Sequence, residues 1–166
     1  MIGYLGLGSN LGERRASLEA AVARLRARGI VALASSSTYD TDPVGAVPDQ
    51  PSFLNACLRI ETELGPLELL DAAKAIEAEL GRRAGGRKDG PRPIDIDILL
   101  LGDLEHASPR LTLPHPQVLA RRFVLIPLLE LDFDLRTPAG ASLAEALAAL
   151  ALTEGVRLAG PPLTLS

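Results

Sequence analysis

The sequence predicts an α+β fold in which a mainly antiparallel sheet, built on a β-α-β-β-α-β core, carries helices on both faces. Three observations carry that expectation. Two stretches repeat apolar residues with helical period, strand-like stretches surround them in that order, and further apolar segments follow the last strand with a second sheet face left to cover. At 166 residues and 47% hydrophobic content the chain is long enough for one core and too short for two ordinary domains. A single domain over residues 1–166 is expected.

Ile2 to Leu7 reads as the first strand and stops at Gly8-Ser9-Asn10, a turn and capping cluster that is expected to open the first helix. Leu18, Ala21, Val22 and Leu25 form that helix's apolar stripe, and Gly29 stands where a left-handed terminator belongs. Ile30 to Tyr39 reads as one strand and Asp40 to Pro51 as a long, proline-containing loop of a length that is often functional. Phe53 to Thr62 is a strand with unlike faces. Leu54, Ala56, Leu58 and Ile60 point one way, while Phe53, Asn55, Cys57 and Arg59 form a side too polar for plain core.

Gly65-Pro66 opens the second helix, whose stripe is Leu69, Ala73, Ile76 and Leu80 and whose end is Gly81. Residues 82 to 93 set Arg82, Arg83, Arg87, Lys88 and Arg92 among glycines and prolines, which excludes a regular element and gives a basic loop. Ile94 to Leu101 is the clearest strand. After it come the Arg110-Leu111-Thr112 segment, the Leu113-Pro114-His115-Pro116 turn, a short helix near Gln117 to Ala120, an apolar helix from Phe123 to Leu131, and a last helix from Ser142 to Leu150 capped by Ser142. The order of the first six elements is the ferredoxin-like split pattern.

Asp95 and Asp97 are the sharpest chemical feature. Residues two apart on a strand share a face, so two carboxylates stand roughly 7 Å apart at the backbone while Ile94, Ile96 and Ile98 enter the core. Mg²⁺ characteristically takes one or two protein carboxylates and leaves its other positions to phosphate and water. A D-x-D also occurs by chance on a solvated strand. What tips the balance is the basic loop directly before it, since a polyphosphate needs both metal and arginine. That loop lacks the G-x-x-x-x-G-K-[ST] pattern, so phosphate would be held by side chains and metal; Gly85, Gly86 and Gly90 would let the loop close as a lid.

Phe53 and Asn55 present an aromatic plane and an amide on one strand face, as a flat heterocycle requires, and Phe123 could supply the opposite plane; ordinary core packing is the alternative for each phenylalanine. His115 either touches a phosphate or closes its turn. His106 reads as a surface residue, and Gly6 to Asn10 reads more simply as a cap than as a substrate contact.

Four motifs, taken in order and spacing, give the chain an end-to-end resemblance to the 6-hydroxymethyl-7,8-dihydropterin pyrophosphokinases. They are Leu7-Gly8-Ser9-Asn10-Leu11-Gly12; Phe53-Leu54-Asn55-Ala56; Gly90-Pro91-Arg92-Pro93-Ile94-Asp95-Ile96-Asp97-Ile98; and Leu113-Pro114-His115-Pro116 followed by Arg121-Arg122-Phe123. The resemblance implies transfer of diphosphate from ATP, as co-substrate, to the pterin hydroxymethyl group, with two Mg²⁺ held by Asp95 and Asp97 and with Arg82 and Arg92 as catalytic arginines. It implies ATP contacts from Glu77, Arg82, Arg92, Ile98, Arg110, Leu111, Thr112, His115 and Arg121. It places the pterin between Phe53 and Phe123, bonded by Asn55 and by backbone groups of Thr41, Asp42, Pro43 and Val44. The sequence departs from the family pattern at Asp89, where an aromatic is usual, at Ala84 and Gly85, where basic residues are frequent, at Phe53, often a tyrosine, and at Pro116.

Two rival readings belong to other classes. A nucleotidyltransferase also uses a D-x-D after a Gly-Ser turn, but here Gly8-Ser9 lies far ahead of the aspartates. A single-stranded RNA module on the same fold would need stacking residues and a basic face, whereas aromatics are 3% and the net charge is −4. No nucleic-acid partner is expected, and small-molecule substrates are. A lone cysteine, no leader pattern and no apolar run near the roughly 20 residues of a membrane span lead to the expectation of a cytoplasmic protein without membrane contact; a monomer is expected, though no feature of the sequence fixes the oligomeric state.

Overall fold

The structure is a computed structural model, and it describes residues 1–42, 51–81, 93–152 and 155–165. The core elements are β1 (Ile2–Ser9), α1 (Arg14–Leu25), β2 (Ile30–Ser35), β3 (Thr38–Thr41), β4 (Phe53–Thr62), α2 (Pro66–Glu79) and β5 (Asp95–Leu101). A two-stranded ribbon of β6 (His106–Ala107) and β7 (Thr112–Leu113), then α3 (Arg122–Leu131), α4 (Leu143–Ala149) and β8 (Val156–Gly160), complete it. Every strand pair is antiparallel, in the order β5-β1-β4-β3-β8 with β2 also on β4. The predicted fold class holds.

Period-two alternation gives the sheet two cores. Leu5, Leu7, Leu54, Leu58, Ile60, Ile96 and Ile98 meet Leu18, Val22 and Leu25 of α1 and Leu69, Ala73 and Ile76 of α2. On the other face Tyr4, Cys57, Leu99 and Leu100 meet Leu125, Leu128 and Leu143 from α3 and α4. A bulge between Tyr4 and Leu5 of β1 leaves Leu99 as the extra residue of β5 and reverses the alternation after it, which turns Leu100 onto the α3 face. Gly29, at φ 81°, and Gly81, at φ 100°, turn the chain after the two long helices, as their positions predicted. Ser142 accepts the Glu145 amide and caps α4. Among the described residues no helix is long and apolar enough to cross a membrane.

Four local expectations change. Gly8-Ser9-Asn10 does not cap α1, which starts at Arg14 after Glu13 without a side-chain cap. Pairing with β4 extends β1 to Ser9, opposite Leu54, and the buried Asn10 donates instead to the Pro51 carbonyl at 3.3 Å. The stretch from Ile30 to Tyr39 is two strands. Ser36 breaks it by exchanging bonds with Cys57, its amide donating to the Cys57 carbonyl and its Oγ accepting the Cys57 amide, both at 2.9 Å. β2 and β3 thus line up along successive parts of the long β4. Gln117 to Ala120 forms i-to-i+3 turns, because Pro114 and Pro116 lack amide donors and the Gln117 amide bonds the His115 ring. Finally, β8 pairs β3 as an edge strand that the sequence did not announce.

Candidate active site

A cavity opens on the α3 face at the ends of β1, β4 and β5. Its plan follows from register alone. One row across three strands reads Asn55, Gly8, Asp95, and the next reads Cys57, Gly6, Asp97. Adjacent strands lie about 4.8 Å apart, so the β4 and β5 side chains face each other across about 10 Å of β1 that carries no side chain on this face. Gly6 and Gly8 are the floor. Sequence reasoning read Gly6 and Gly8 as part of a cap rather than as a substrate contact; the available signal was that both fall on one parity of a strand, but only the register shows what they lie between.

Asp95 and Asp97 share the pocket face as predicted, and both line the cavity. Burial, then the charges of Asp95 and Glu77, push the Asp97 carboxyl up to about 7; Arg121 and Lys74 act the other way. Glu77 is 2% exposed in α2, where its Oε2 accepts the Ile96 amide at 2.7 Å and its Oε1 lies 3.3 Å from Lys74 Nζ. Its carboxylate therefore backs the strand segment that holds both aspartates. A divalent cation fits this donor set, because it would offset the burial and the repulsion that together raise Asp97. Among the described residues no group of three or more His, Cys, Asp or Glu gathers as a metal site, so the donors stop at the carboxylate pair that Mg²⁺ typically takes.

The aromatic side is assembled by β3, β4 and α3. Phe53, Asn55, Thr41, Asp42, Arg121 and Phe123 all line the cavity, and the Arg121 guanidinium carbon lies 5.5 Å from the centre of the Phe123 ring. Asn55 Nδ2 donates to Thr41 Oγ1 at 2.5 Å. Arg14 fastens the start of β4 to β3, donating to Asp40 Oδ1 at 2.6 Å and to the Ser52 carbonyl at 3.1 Å. That hydrogen bond is the main cause holding the Asp40 carboxyl below its usual range. Asp42 is tied to β8, its carboxylate accepting from the Gly155 amide at 3.1 Å and from Arg157 at 3.2 Å. The C-terminal end of α3 is clamped by Glu130, which accepts from the Ser37 amide, the Ser37 hydroxyl and Tyr39, and by Arg59, which donates to the Leu131 carbonyl.

His115 closes its turn: its Nδ1 accepts the Gln117 amide at 3.0 Å, and its own amide bonds the Leu99 carbonyl of β5 at 2.9 Å. Because an amide can only donate, Nδ1 is unprotonated and Nε2 carries the ring hydrogen. Burial and the nearby Arg121 lower its pKa, with Asp95 opposing, which keeps the ring neutral at neutral pH.

Other predicted contacts lie apart from the cavity. The Ile98 side chain is 3% exposed in the core beneath the sheet. Arg110 pairs with Asp71 of α2 at 2.5 Å on the surface, Leu111 packs against the core edge, and Thr112 is exposed in β7. Arg82, Arg92, Pro43 and Val44 lie outside the described residues.

The profile of one protein family, described as 7,8-dihydro-6-hydroxymethylpterin-pyrophosphokinase (HPPK), matches residues 4–133. The chain is 46% identical over 160 residues to the 2-amino-4-hydroxy-6-hydroxymethyldihydropteridine pyrophosphokinase of Pseudomonas aeruginosa, covering 95% of this chain and 96% of that one. It is 48% identical over 148 residues to the protein of the same name from Methylorubrum extorquens, covering 89% and 92%. Among solved structures, a Plasmodium falciparum HPPK-DHPS crystal structure superposes with a TM-score of 0.67 at 15% identity. That match covers 89% of this chain but only 42% of the longer one, and at that identity it speaks for the fold alone.

Proposed function

The chain belongs to the 7,8-dihydro-6-hydroxymethylpterin-pyrophosphokinase family, and from that premise we propose that the glycine-floored cavity is where its two substrates meet. The activity is a diphosphate transfer of folate biosynthesis with ATP as co-substrate, giving AMP and the pterin diphosphate. The observation that carries the assignment is the pair of rows Asn55-Gly8-Asp95 and Cys57-Gly6-Asp97, which face a heterocycle-binding edge toward a carboxylate pair across one bare strand.

In this reading the pterin ring stacks between Phe53 and Phe123, and Asn55 bonds its polar edge, with Thr41 to Val44 contributing backbone groups. Asp95 and Asp97 would hold two Mg²⁺, which when bound supply neutralisation of the phosphate oxygens. Arg121, Arg82 and Arg92 contact phosphate by charge, and His115 contacts it by its Nε2–H. The pterin hydroxymethyl oxygen attacks the β-phosphorus in line, the bond from that phosphorus to the α,β-bridging oxygen breaks, AMP departs with the electron pair, and the hydroxyl proton passes to solvent. No side chain described here is placed as a general base, so the residues contribute orientation and charge.

Glu77 acts through the Ile96 main chain, holding the start of β5 in place behind the two aspartates. Ile98 would serve the adenine through its main chain, because β5 is an edge strand and the Ile96 amide already faces away from the sheet toward α2. Arg110, Leu111 and Thr112 frame the same side. The chain acts as a single-domain monomer in the cytoplasm, with small-molecule partners only; α3 and α4 cover the sheet face that an RNA platform would leave open.

Incubation with ATP, Mg²⁺ and 6-hydroxymethyl-7,8-dihydropterin, followed by separation of nucleotides, tests the chemistry. AMP equal to the pterin consumed, and none without pterin, is expected. ADP would indicate an ordinary kinase and free pyrophosphate a nucleotidyltransferase; either overturns the reading. Sedimentation at micromolar concentration tests the monomer.

A further inference from the structure

The cavity wall that carries Thr41 and Phe53 stands on a short piece of sheet. β3 meets β4 over three pairs, Tyr39 with Asn55, Asp40 with Leu54 and Thr41 with Phe53, and the ladder ends at the last of these. Local opening begins at such ends. β8 holds β3 from its far side and does not reach β4. Thr41 and Phe53, which both line the cavity, are therefore the pair that fraying between β3 and β4 reaches first.

A side chain from another element closes that end. Residues alternate across a strand, so Asp40 points to the opposite face from Thr41, toward α1. There Arg14 Nη1 donates to Asp40 Oδ1 at 2.6 Å, to the Ser52 carbonyl at 3.1 Å and to Ser52 Oγ at 3.2 Å, and Ser52 Oγ donates to Asp40 Oδ1 at 3.1 Å. One guanidinium thus joins the residue before Thr41 to the residue before Phe53. Asn10 adds a bond one residue earlier, to the Pro51 carbonyl. The Arg14 and Asp40 side chains are 30% and 29% exposed, so the link is partly shielded from solvent. It grips the wall from beneath, and Arg14, Asp40 and Ser52 take no part in the cavity lining. The next residue of the same helical turn differs in this respect: Arg15 donates to the carbonyls of Pro161 and Pro162, at 2.8 Å each, and to Glu19 at 3.2 Å, none of them in β3 or β4.

We propose that Arg14 is a positioning residue for the heterocycle: by tying Asp40 to Ser52 beneath the sheet it keeps Thr41 and Phe53 in register, and so sets the fraction of molecules whose binding wall is formed. The inference rests on the reading that the heterocycle lies against Phe53. A wall that opens in the free protein lowers the competent fraction and nothing else. Losing the link therefore raises the concentration of heterocycle needed to fill the site and leaves turnover at saturation as it was.

Steady-state kinetics in both substrates, read beside hydrogen exchange of the β3 amides, tests this. Arg14→Ala should raise the pterin KM about threefold to tenfold, keep kcat and the ATP KM within about twofold of wild type, and speed exchange at residues 39–41. Asp40→Ala should do the same, and the double variant no more than either single one, because both remove one linkage. Arg15→Ala, comparably bonded at the same turn, should keep the wild-type pterin KM and β3 exchange even where its melting temperature falls. A folded Arg14→Ala with wild-type pterin KM overturns the proposal, and so does an equal rise in Arg15→Ala, which would make the effect one of general stability. Should Arg14→Ala fail to fold, Asp40→Ala decides alone on the same terms. Phe53→Ala separates the two levels. An unchanged pterin KM there means that the heterocycle does not lie on this wall and the site assignment fails; a raised KM in Phe53→Ala beside a wild-type value in Arg14→Ala removes only the role of Arg14.

Discussion

The buried carboxylate of Glu77 accepts the main-chain amide of Ile96 at 2.7 Å, and so stands behind the one residue that separates Asp95 from Asp97. Helix and strand are joined there by the same group that adds negative charge to a pair of aspartates already in conflict.

Replacing either aspartate by asparagine removes part of that conflict. In metal-free buffer Asp95→Asn and Asp97→Asn should melt at the wild-type temperature or above it. Turnover in Mg²⁺ should fall about a hundredfold or more, the scale of losing a preorganised charge at a phosphoryl centre. Calorimetry and nucleotide chromatography check both halves; near-normal turnover would remove the metal from this strand.

The raised Asp97 carboxyl has a pH signature. The unfolded chain releases this proton near 3.8 and the folded chain near 7, so between those values the folded state binds more protons. Metal-free protein should therefore lose stability as pH rises through that window, as this group contributes. Mg²⁺ with an ATP analogue should flatten the loss, and so should Asp97→Asn. Urea melts at several pH values would show it, and a stability that rises from pH 4 to 7 equally in wild type and Asp97→Asn would contradict it.

Glu77 can be divided into acceptor and charge. Glu77→Ala strands the Ile96 amide in a buried place and should cost about 1–3 kcal/mol. Glu77→Gln keeps an acceptor and removes the charge, so its stability should stay within about 1 kcal/mol of wild type while the Asp97 carboxyl titrates at lower pH, a shift that carbon-detected NMR can follow. Equal destabilisation by both would mean that the charge itself holds β5.

Phe53 tests the heterocycle side independently of phosphate. Phe53→Ala should lose about 0.5–1.5 kcal/mol of pterin affinity beyond its buried area, with binding of an ATP analogue close to wild type. Calorimetric titration of each ligand distinguishes this from a general collapse, in which both would weaken together.

Much of this architecture was legible because period and punctuation agreed. Phe53 to Thr62 was read with its final boundaries, since its alternation is strict, and Asp95 and Asp97 declared themselves by standing between core isoleucines. Other features depended on partners remote in sequence. The Ser36 break is visible only against Cys57, and Val156 to Gly160 is a short edge strand with Leu158 71% exposed, so it lacks the inside-outside contrast of a strand. Gly6 and Gly8 carry no side chain to signal a function, and their meaning lies in what register sets on either side. Arg110, expected at a ligand, pairs on the surface with Asp71, a partner remote in sequence.

The bare strand between Asn55 and Asp95 also bears on how a drug aimed at this cavity would age. Resistance usually arises when a side chain under an inhibitor is exchanged for another that crowds it or withdraws a contact. A compound lying on Gly6 and Gly8 rests on main chain, from which no substitution can subtract anything. At Gly8 any addition collides first with the Asn55 side chain. Escape would be freer at the rim, at Phe53, Asp42 or Phe123, and at Gly6, where a methyl meets only Leu99 at 3.4 Å, so compounds that draw their affinity from the main chain of Gly8 and little from those four positions should select resistance more slowly.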